Sequence, residues 1–379
     1  MDAFDEGALV DQQTPHALAE AAPVSQARPQ VRAQGLSRMF DDAALAARLE
    51  RLRRFSKRVR TSEYHLTNAC NIRCNGCWFF EYGFEKTGRE NTSLEMLAAH
   101  IEREKARGVN AALLIGGEPT LYLKRVAKYV EAMEFVSIST NGLKPLPRQG
   151  FENVTVFVSL FGGGPLDDDL RAITPSGRRF DGLFDTSLRN YRDDPRATFV
   201  YALSDQGIDY IEDAVRQIAD NGNRVTFNYY TAYGAETPMN VREGALLEKA
   251  LEVRAKYPDV VICTEYYIET LITGRAHWGE SFGYATCPSI SVDHPAHQER
   301  LAQGHKSLPL FNTYAPDLKT INFCCTSGHC DGCRDSQAVY SWLMLSAGKF
   351  LRSKALAETW IDMAEGYWKQ FIWSPYHQD

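Results

Sequence analysis

Short apolar runs recur along the first two thirds of the chain, and segments with helical spacing of apolar residues separate most of them. Residues 111–115 form a continuous apolar run bounded by glycines, as expected of a strand buried on both faces. Further strands are predicted at residues 64–67, 135–139, 154–160, 198–203 and 225–229. Helical stretches such as residues 208–219 fill most intervals and allow parallel crossovers. The pattern therefore predicts an α/β fold whose parallel sheet forms a barrel.

The pattern changes on both sides of this region. Residues 1–35 are rich in Ala, Gln and Pro without a sustained period, which predicts a disordered arm. After residue 235 the sequence predicts a helix at 241–257, a strand at 260–263, a helix at 267–273, a hairpin between 289–292 and 320–323, and two helices within 337–372. We therefore predict three parts, which are an arm at 1–35, a barrel at 36–235 and a C-terminal extension at 236–379.

Three cysteines, Cys70, Cys74 and Cys77, lie close together with the spacing C-x3-C-x2-C. They must line one short loop and face a common centre, and soft thiolates gathered in this way suit zinc or an iron–sulfur cluster. A structural zinc site normally has four ligands in paired sets, and no nearby fourth Cys or downstream His completes one here. Three thiolates on a 4Fe–4S cluster leave one iron open, so the spacing favours a reactive cluster.

Two further motifs follow predicted strands, Gly116-Gly117-Glu118-Pro119-Thr120 and Ser139-Thr140-Asn141-Gly142. With the cysteine motif, their order and intervals make residues 60 to 235 resemble the radical S-adenosylmethionine (radical SAM) superfamily. One departure is Gly76, because the family usually has an aromatic residue directly before the third Cys, whereas here Trp78 follows it. The resemblance implies a partial, TIM-like barrel of six strands and six helices. It also implies a 4Fe–4S cluster on the three cysteines, with S-adenosylmethionine (SAM) bound at the open iron.

Glycines or polar residues close most of the predicted strands, and in such barrels the reactive centre lies at the C-terminal ends of the strands. Glycines let a ligand approach the backbone, and the resemblance implies that Glu118 accepts hydrogen bonds from the amino group of SAM. The predicted cofactor-binding residues are Gly116, Gly117, Glu118, Pro119, Ser139, Asn141, Ser159 and Asn228. For the last four, capping of a strand end is the alternative.

A second group of cysteines comprises Cys287, Cys324, Cys325, Cys330 and Cys333, all of which are candidate metal ligands. A hairpin with Cys at each end, followed by C-x2-C, resembles the twitch or SPASM extensions of the superfamily, which carry an auxiliary cluster. A second 4Fe–4S cluster is favoured, although four cysteines could also close around zinc. Neighbouring residues of a strand face opposite sides, so only one of Cys324 and Cys325 should reach the metal. The isolated Cys263 is predicted to be a buried core residue.

Composition excludes several function classes. The chain of 379 residues is 44% hydrophobic and 24% charged, with a formal net charge of −6, which gives no electrostatic case for nucleic-acid binding. No apolar run approaches the length of about 18 residues that a membrane span needs. Clustered cysteines without an apolar export signal are typical of metal ligands in a reducing compartment, so we expect a cytoplasmic protein.

The resemblance implies an enzyme that uses a 5′-deoxyadenosyl radical, with electrons from a flavodoxin or ferredoxin. We expect it to abstract hydrogen from a small polar metabolite, in a dehydrogenation, elimination or rearrangement such as those of natural-product biosynthesis. A peptide-modifying maturase and a zinc-stabilised binding protein without turnover are the alternatives. Residues that could contact the substrate follow the last strand of the barrel or open the helix near 267, namely Tyr229, Tyr230, Tyr233, Glu265 and Tyr266. The sequence identifies no catalytic residue among them.

Overall fold

The computed structural model describes residues 42–230, 241–326, 328–330 and 333–372. The chain divides into two compact units, residues 1–46 and 47–379, and the elements of the site belong to the second. The predicted arm at 1–35 and the predicted boundary at 235/236 lie outside the described residues, so the division into three parts stays a prediction.

Eight strands form one sheet. They are β1 (Thr61–His65), β2 (Ala111–Ile115), β3 (Phe135–Thr140), β4 (Val154–Leu160), β5 (Ala197–Leu203), β6 (Arg224–Tyr229), β7 (Thr313–Tyr314) and β8 (Ile321–Asn322). Strands β1 to β6 lie side by side in chain order, and each neighbouring pair is parallel. On the other side of β1, β7 pairs in parallel and β8 pairs antiparallel to β7. The predicted α/β class with a partial barrel is confirmed.

Helices cover the sheet connections and the C-terminal part. They are α1 (Ala43–Arg58), α2 (Trp78–Glu81), α3 (Leu94–Ala106), α4 (Leu123–Ala132), α5 (Gly164–Arg171), α6 (Leu183–Asn190), α7 (Ile211–Asp220), α8 (Glu243–Lys256), α9 (Glu265–Thr273), α10 (Gln298–Ala302), α11 (Ser336–Leu345), α12 (Ala347–Phe350) and α13 (Lys354–Phe371). Helices α3, α4 and α7 each form one crossover, and α5 and α6 share another. Residues 141–153 join β3 to β4 without a helix.

Strand β1 begins three residues before the predicted strand. The sequence pattern did not indicate this start because its residues are polar. Ser62 and Glu63 are both buried. The Ser62 hydroxyl accepts a hydrogen bond from the Asn312 amide at 3.3 Å, and Glu63 Oε1 accepts one from the Thr313 hydroxyl at 3.3 Å. Buried polar groups are tolerated when they have such partners. Thr313 of β7 and Asn312 before it therefore supply the hydrogen-bond partners of the polar residues in β1. They lie about 250 residues away in the sequence.

The predicted hairpin in the C-terminal extension is wrong in one of its arms. β8 pairs with β7 through Tyr314 and Ile321, and residues 289–292 form no strand. They lie beside the sheet, where the Val292 amide donates to the Phe311 carbonyl at 2.8 Å. The predicted strand at 260–263 reduces to an isolated bridge between Val225 and Val261. The predicted helical region from residue 337 contains α11, α12 and α13 rather than two helices.

A buried carboxylate links β1, α3 and β7. Glu104 accepts hydrogen bonds from the hydroxyls of Tyr64 at 3.0 Å and Tyr314 at 2.8 Å, and from Arg107 at 2.8 Å. The rings of Tyr64 and Tyr314 stack with centroids 5.7 Å apart. Because Glu104 is only 2% exposed, its loss leaves buried donors without an acceptor.

We expect Glu104→Ala to lower the free energy of unfolding by about 3 kcal/mol in urea denaturation, since removing one partner of a buried ionic group is strongly destabilising. The matched control is Glu102→Ala on the same helix, where the carboxylate is exposed and pairs with Lys105. That change should cost about 0.5 kcal/mol or less. Equal losses in the two variants would contradict the structural role of Glu104.

Candidate active site

One cavity lies at the C-terminal ends of the parallel strands and collects most of the predicted site residues. Its lining includes the clustered cysteines and the strand-end residues, namely Cys70, Cys74, Cys77, Gly116, Gly117, Glu118, Ser139, Asn141, Ser159 and Asn228. Pro119 is buried at the start of a short 3-10 helix and does not line the cavity. Because parallel strands end at the same edge of a sheet, residues distant in sequence meet there.

The cysteine loop is fixed to the end of β2 by backbone hydrogen bonds. The amide of Gly117 donates to the Thr67 carbonyl at 2.8 Å, and the amide of Glu118 donates to the Ala69 carbonyl at 2.8 Å. A Cβ atom at Gly117 would lie 2.0 Å from the Ala69 carbonyl oxygen. Gly116 has a φ of +115°, which L side chains rarely adopt. These two glycines are therefore required for the close approach of the loop and the strand.

Glu118 holds the ends of β2 and β3 together. Its Oε1 accepts hydrogen bonds from the amide and hydroxyl of Thr120 at 3.0 and 2.6 Å and from the Thr140 hydroxyl at 2.9 Å, and its Oε2 accepts one from the Asn141 amide at 2.8 Å. An ionised carboxylate offers about two acceptor positions on each oxygen, so Oε1 is fully engaged by its three bonds whereas Oε2 keeps one position. Burial raises the pKa of Glu118, and the hydrogen bonds oppose this shift. Glu118 thus holds the end of β2 to the end of β3 by hydrogen bonds to Thr120, Thr140 and Asn141.

The three clustered thiols are well suited to a metal cluster. Burial raises the pKa of Cys70 to about 11 and that of Cys77 to about 12. Burial also raises the pKa of Cys74, while the nearby guanidinium of Arg171 lowers it. Such thiols bind metal only by releasing their protons. In the described part of the chain, no three His, Cys, Asp or Glu side chains are grouped to hold a single ion. Three thiolates are the donor set of a 4Fe–4S cluster with one open iron, whereas a structural zinc site normally has four ligands.

The four polar strand-end residues differ in the hydrogen bonds that their side chains form. Asn141 donates to Asn71 in the cysteine loop at 2.7 Å. Asn228 accepts a hydrogen bond from the Ser336 amide at 3.1 Å, which ties the end of β6 to the start of α11. Ser139 and Ser159 line the same cavity. Asn141 and Asn228 therefore have structural partners, as the capping alternative predicts, and both still border the cavity.

Tyr230 approaches the cysteine loop at the position where the family has an aromatic residue and this chain has Gly76. The Tyr230 hydroxyl donates to the Asn75 carbonyl at 2.7 Å, and a Cβ atom at Gly76 would lie 1.9 Å from that hydroxyl oxygen. The Tyr230 ring also packs edge-on against Phe161 with centroids 5.0 Å apart. The aromatic side chain at this point thus comes from the end of β6 rather than from the loop.

The other predicted substrate contacts do not share one place. Tyr229 lines the cavity together with Tyr230. Glu265 and Tyr266 begin α9 and do not line the cavity, and Tyr266 packs against His277 with ring centroids 4.2 Å apart. Tyr233 lies outside the described residues.

The C-terminal cysteines surround a second, smaller cavity that adjoins the first. Cys287, Cys324, Cys325, Cys330 and Cys333 all line it, and Cys325 lines the main cavity as well. Burial raises the pKa of Cys287, and negative charge on Cys324, Cys333 and Cys330 adds to the shift. The Gly328 amide donates to Cys324 Sγ at 3.3 Å. Since β8 ends at Asn322, Cys324 and Cys325 lie beyond the strand, so the alternation argument does not apply to them. Cys263 is fully buried, as predicted.

Comparison with known proteins assigns the domain that carries the first cavity. The family model described as "Radical SAM superfamily" matches residues 64–236. Residues 64–236 form a radical SAM domain. Members of this family use a 4Fe–4S cluster and SAM, so these are the cofactors of this radical SAM protein.

Two curated relatives are GTP 3′,8-cyclases. The protein from Aquifex aeolicus (strain VF5) is 33% identical over 121 residues, which cover 28% of this chain and 37% of the relative. The protein from Alkaliphilus oremlandii (strain OhILAs) is 23% identical over 181 residues, which cover 41% of this chain and 56% of the relative. The matches thus span between about a third and just over half of the relatives' length.

A similar solved structure is that of native anSMEcpe with bound AdoMet, with a TM-score of 0.50 and 12% sequence identity over 71% of this chain and 74% of that chain. At this identity the likeness concerns the fold alone. Separately, none of the described helices of the radical SAM protein is long and apolar enough to cross a membrane.

Several residues of the cavity were missed by sequence reasoning. Glu63, Arg171, Asp335 and Gln337 all line it. Glu63 and Arg171 carried no recognisable signal, because a polar residue in a short strand and an arginine at a helix end are common at surfaces. Asp335 could have been found, since an acidic residue directly before a helical pattern is an N-cap signal, and its Oδ1 accepts from the Ala338 amide at 3.0 Å.

We expect Gly76→Ala to reduce the iron bound at the cysteine loop by at least half after anaerobic reconstitution, measured as iron and sulfide per chain. The new methyl group would collide with Tyr230 at a residue whose φ is already +71°. Gly83→Ala is the matched control, since its φ is +66° and the nearest atom, Lys86 Cδ, is 3.8 Å away. The control should cost about 1 kcal/mol of stability but keep its iron. Equal iron in both variants would show that the contact with Tyr230 is not required.

Proposed function

We propose that this radical SAM enzyme abstracts a hydrogen atom from a small polar metabolite and thereby starts a dehydrogenation, elimination or rearrangement. One observation carries the proposal. The cavity that exposes Cys70, Cys74 and Cys77 also exposes Cys325 and Asp335, which belong to the C-terminal cysteine region. A substrate in this cavity would therefore lie beside both the first cluster and the C-terminal cysteine region. When bound, the first cluster with SAM supplies a 5′-deoxyadenosyl radical, and the protein binds, orients and shields what reacts with it.

For the cofactor site, we infer that Cys70, Cys74 and Cys77 hold the cluster and that SAM lies along Gly116, Gly117, Ser139, Asn141, Ser159 and Asn228. Glu118 Oε2 accepts from only the Asn141 amide, so it retains an acceptor position for the amino group of SAM. Tyr230 would pack against the adenine, in place of the aromatic residue missing at position 76. Its position against the loop and its hydrogen bond to Asn75 support this role.

For the second centre, we infer an auxiliary 4Fe–4S cluster on Cys287, Cys324, Cys330 and Cys333. These four thiols line one small cavity, which Cys325 lines as well. The hydrogen bond from the Gly328 amide to Cys324 supports that residue, since amide groups commonly donate to cluster sulfurs. Cys325 then remains a thiol on the wall of the main cavity. The auxiliary cluster would accept an electron from the substrate or conduct one out.

The charge of the cavity bears on the kind of substrate. Among its described lining residues Arg171 is the only base, and it is paired with Asp167 at 3.2 Å. A nucleoside triphosphate such as the GTP of the curated relatives needs several cations, so this lining favours a different metabolite. The remaining parts of the proposal are a flavodoxin or ferredoxin as electron donor and a reducing, cytoplasmic setting, which metal-binding thiols require.

Anaerobic purification tests the class of function. The holoenzyme should be brown and contain about eight iron and eight sulfide per chain, as two 4Fe–4S clusters require. On reduction with dithionite it should convert SAM to 5′-deoxyadenosine and methionine, measured by liquid chromatography. Colourless protein that contains zinc, or a brown protein that never cleaves SAM, would overturn the proposal.

We expect Cys324→Ala to lower the iron content from about eight to about four per chain, because the auxiliary cluster would lose a ligand. Cys325→Ala, its sequence neighbour, is the matched control and should keep about eight. The pair is measured by iron assay and by electron paramagnetic resonance (EPR) of the reduced clusters. The reverse result would assign Cys325 as the ligand.

We expect Tyr230→Ala to weaken SAM binding about tenfold, because an aromatic contact of the adenine would be lost. Tyr230→Phe keeps the ring but not the hydrogen bond to Asn75, and should change the affinity less than threefold if stacking is what matters. Equilibrium dialysis with labelled SAM on the cluster-loaded variants measures both. A larger loss in the phenylalanine variant would assign the hydroxyl, rather than the ring, as the important group.

A further inference from the structure

One wall of the main cavity carries two carboxylates that have no part in holding the cluster or SAM. Glu63 lies in β1, and Asp335 lies directly before α11. Both line the cavity, and they are close enough for the charge of Glu63 to act on Asp335. Cys325 lies on the same wall and is influenced by both. We call Glu63, Asp335 and Gln337 the acidic wall.

Neither carboxylate is neutralised by an arginine or lysine that lines the cavity. Arg171 is the only base among the described lining residues, and it is engaged by Asp167 and lies beside Cys74. Glu63 accepts one hydrogen bond from Thr313, and its Oε1 is 3.8 Å from His65 Nε2, too far for a hydrogen bond. His65 Nδ1 faces the side-chain amide of Asn322 at 3.5 Å.

Asp335 uses one oxygen, Oδ1, to cap α11. Asp335 also interacts electrostatically with the Cys325 and Cys333 thiols and with the Tyr267 hydroxyl, none of which adds positive charge. Two carboxylates in a largely enclosed space repel each other, and they are costly to bury without a cation. No arginine or lysine among the described lining residues supplies positive charge to this wall, and His65 beside Glu63 would do so only when protonated.

Gln337 is an independent indication that this wall receives a ligand. It is 9% exposed and lines the main cavity next to Asp335. Its side-chain amide has no hydrogen-bond partner among the described residues, and the amide atoms are not fully enclosed, so they reach the space of the main cavity or of the neighbouring cavity that Gln337 also lines. An amide offers both donors and acceptors, so a polar molecule in the cavity could satisfy it.

We propose that the acidic wall binds the ammonium group of an amine-bearing substrate, with Glu63 and Asp335 as its counter-charges and Gln337 as a hydrogen-bonding partner for a neighbouring polar group. This inference rests on the proposed function and narrows its substrate to small polar amines, such as amino sugars or diamines. Charge-assisted hydrogen bonds from an ammonium group would supply the missing cation and fix the orientation of the substrate. The substrate would then occupy the same cavity as the thiols of the cysteine loop, with its amine at the acidic wall.

The test is equilibrium dialysis of the anaerobic, SAM-loaded holoenzyme with four labelled probes in two matched pairs. Glucosamine is compared with glucose, which has a hydroxyl in place of the ammonium group, and putrescine is compared with 1,4-butanediol. We expect each amine to bind at least tenfold more tightly than its neutral partner. Glu63→Gln should reduce amine binding at least tenfold and leave the neutral probes unchanged.

Asp335→Asn is the second variant, because Asn caps a helix about as well as Asp and so removes the charge without removing the cap. It should weaken amine binding to a similar degree. Glu102→Gln on exposed α3 is the control for a general change in charge. Iron content and the EPR spectrum of each variant show whether its clusters are intact. If one of the two variants loses iron, the binding data of the other variant decide the result.

Equal binding of amine and neutral probes, no binding of either amine, or amine binding that survives both substitutions would overturn the inference. Tighter binding of GTP than of either amine would overturn it as well. Release of 5′-deoxyadenosine from SAM is measured in the same samples and tests the proposed function separately. Amine binding without SAM cleavage would contradict the proposed function, whereas SAM cleavage without amine selectivity would contradict only the acidic wall.

Discussion

The arrangement of the site depends on the close approach of two backbone segments, the end of β2 and the loop that carries the cysteines. Two amides of the Gly-Gly-Glu turn donate to carbonyl groups at Thr67 and Ala69, and the absence of a side chain at Gly117 makes this distance possible. Glu118 then connects the same turn to the end of β3 through four hydrogen bonds. One turn thereby fixes the position of the thiols relative to the strand ends. Any account of cofactor binding starts from this constraint.

The C-terminal extension completes the cavity from the other side. Strand β7 pairs with β1, and the Ser62 and Glu63 side chains of β1 find partners in Asn312 and Thr313. Asn228 at the end of β6 accepts a hydrogen bond from the first residue of α11. These contacts bring the second group of cysteines to the mouth of the barrel, where Cys325 borders the space that the first group also borders. The extension therefore does more than add a second metal-binding region, because it supplies one wall of the main cavity.

The distribution of charge distinguishes the two sides of that cavity. Near Cys74 a buried arginine is paired with Asp167, and near Cys325 two carboxylates face the interior without a comparable base. A separation of this kind gives a bound molecule a preferred direction, since its positive end is attracted to one side only. In a radical reaction such a direction matters, because the radical acts on whichever C–H bond lies nearest.

Much of this protein could be predicted from its sequence by local rules. The apolar runs predicted β2 and β4 with their observed bounds and the other barrel strands with shifts at their ends, since a strand buried on both faces must be apolar throughout. The cysteine spacing predicted a three-thiol loop, because residues so close in sequence must share one place. Two glycines before a glutamate predicted room for a ligand at the backbone, and the structure shows that Gly117 gives room to the cysteine loop. All of these depend on neighbours in the chain.

Tertiary structure alone decided the features that depend on distant partners. The start of β1 is polar, and only pairing with residues about 250 positions away makes it a buried strand. The two-residue strands β7 and β8 are too short to leave a periodic signal, and for that reason the predicted hairpin had the wrong partner. The aromatic residue beside Gly76 is Tyr230, which follows β6, and the acidic wall joins β1 to α11 and the residue before it. Sequence patterns report which residues prefer to be buried, whereas the meeting of polar groups across a cavity is settled by how the chain folds back on itself.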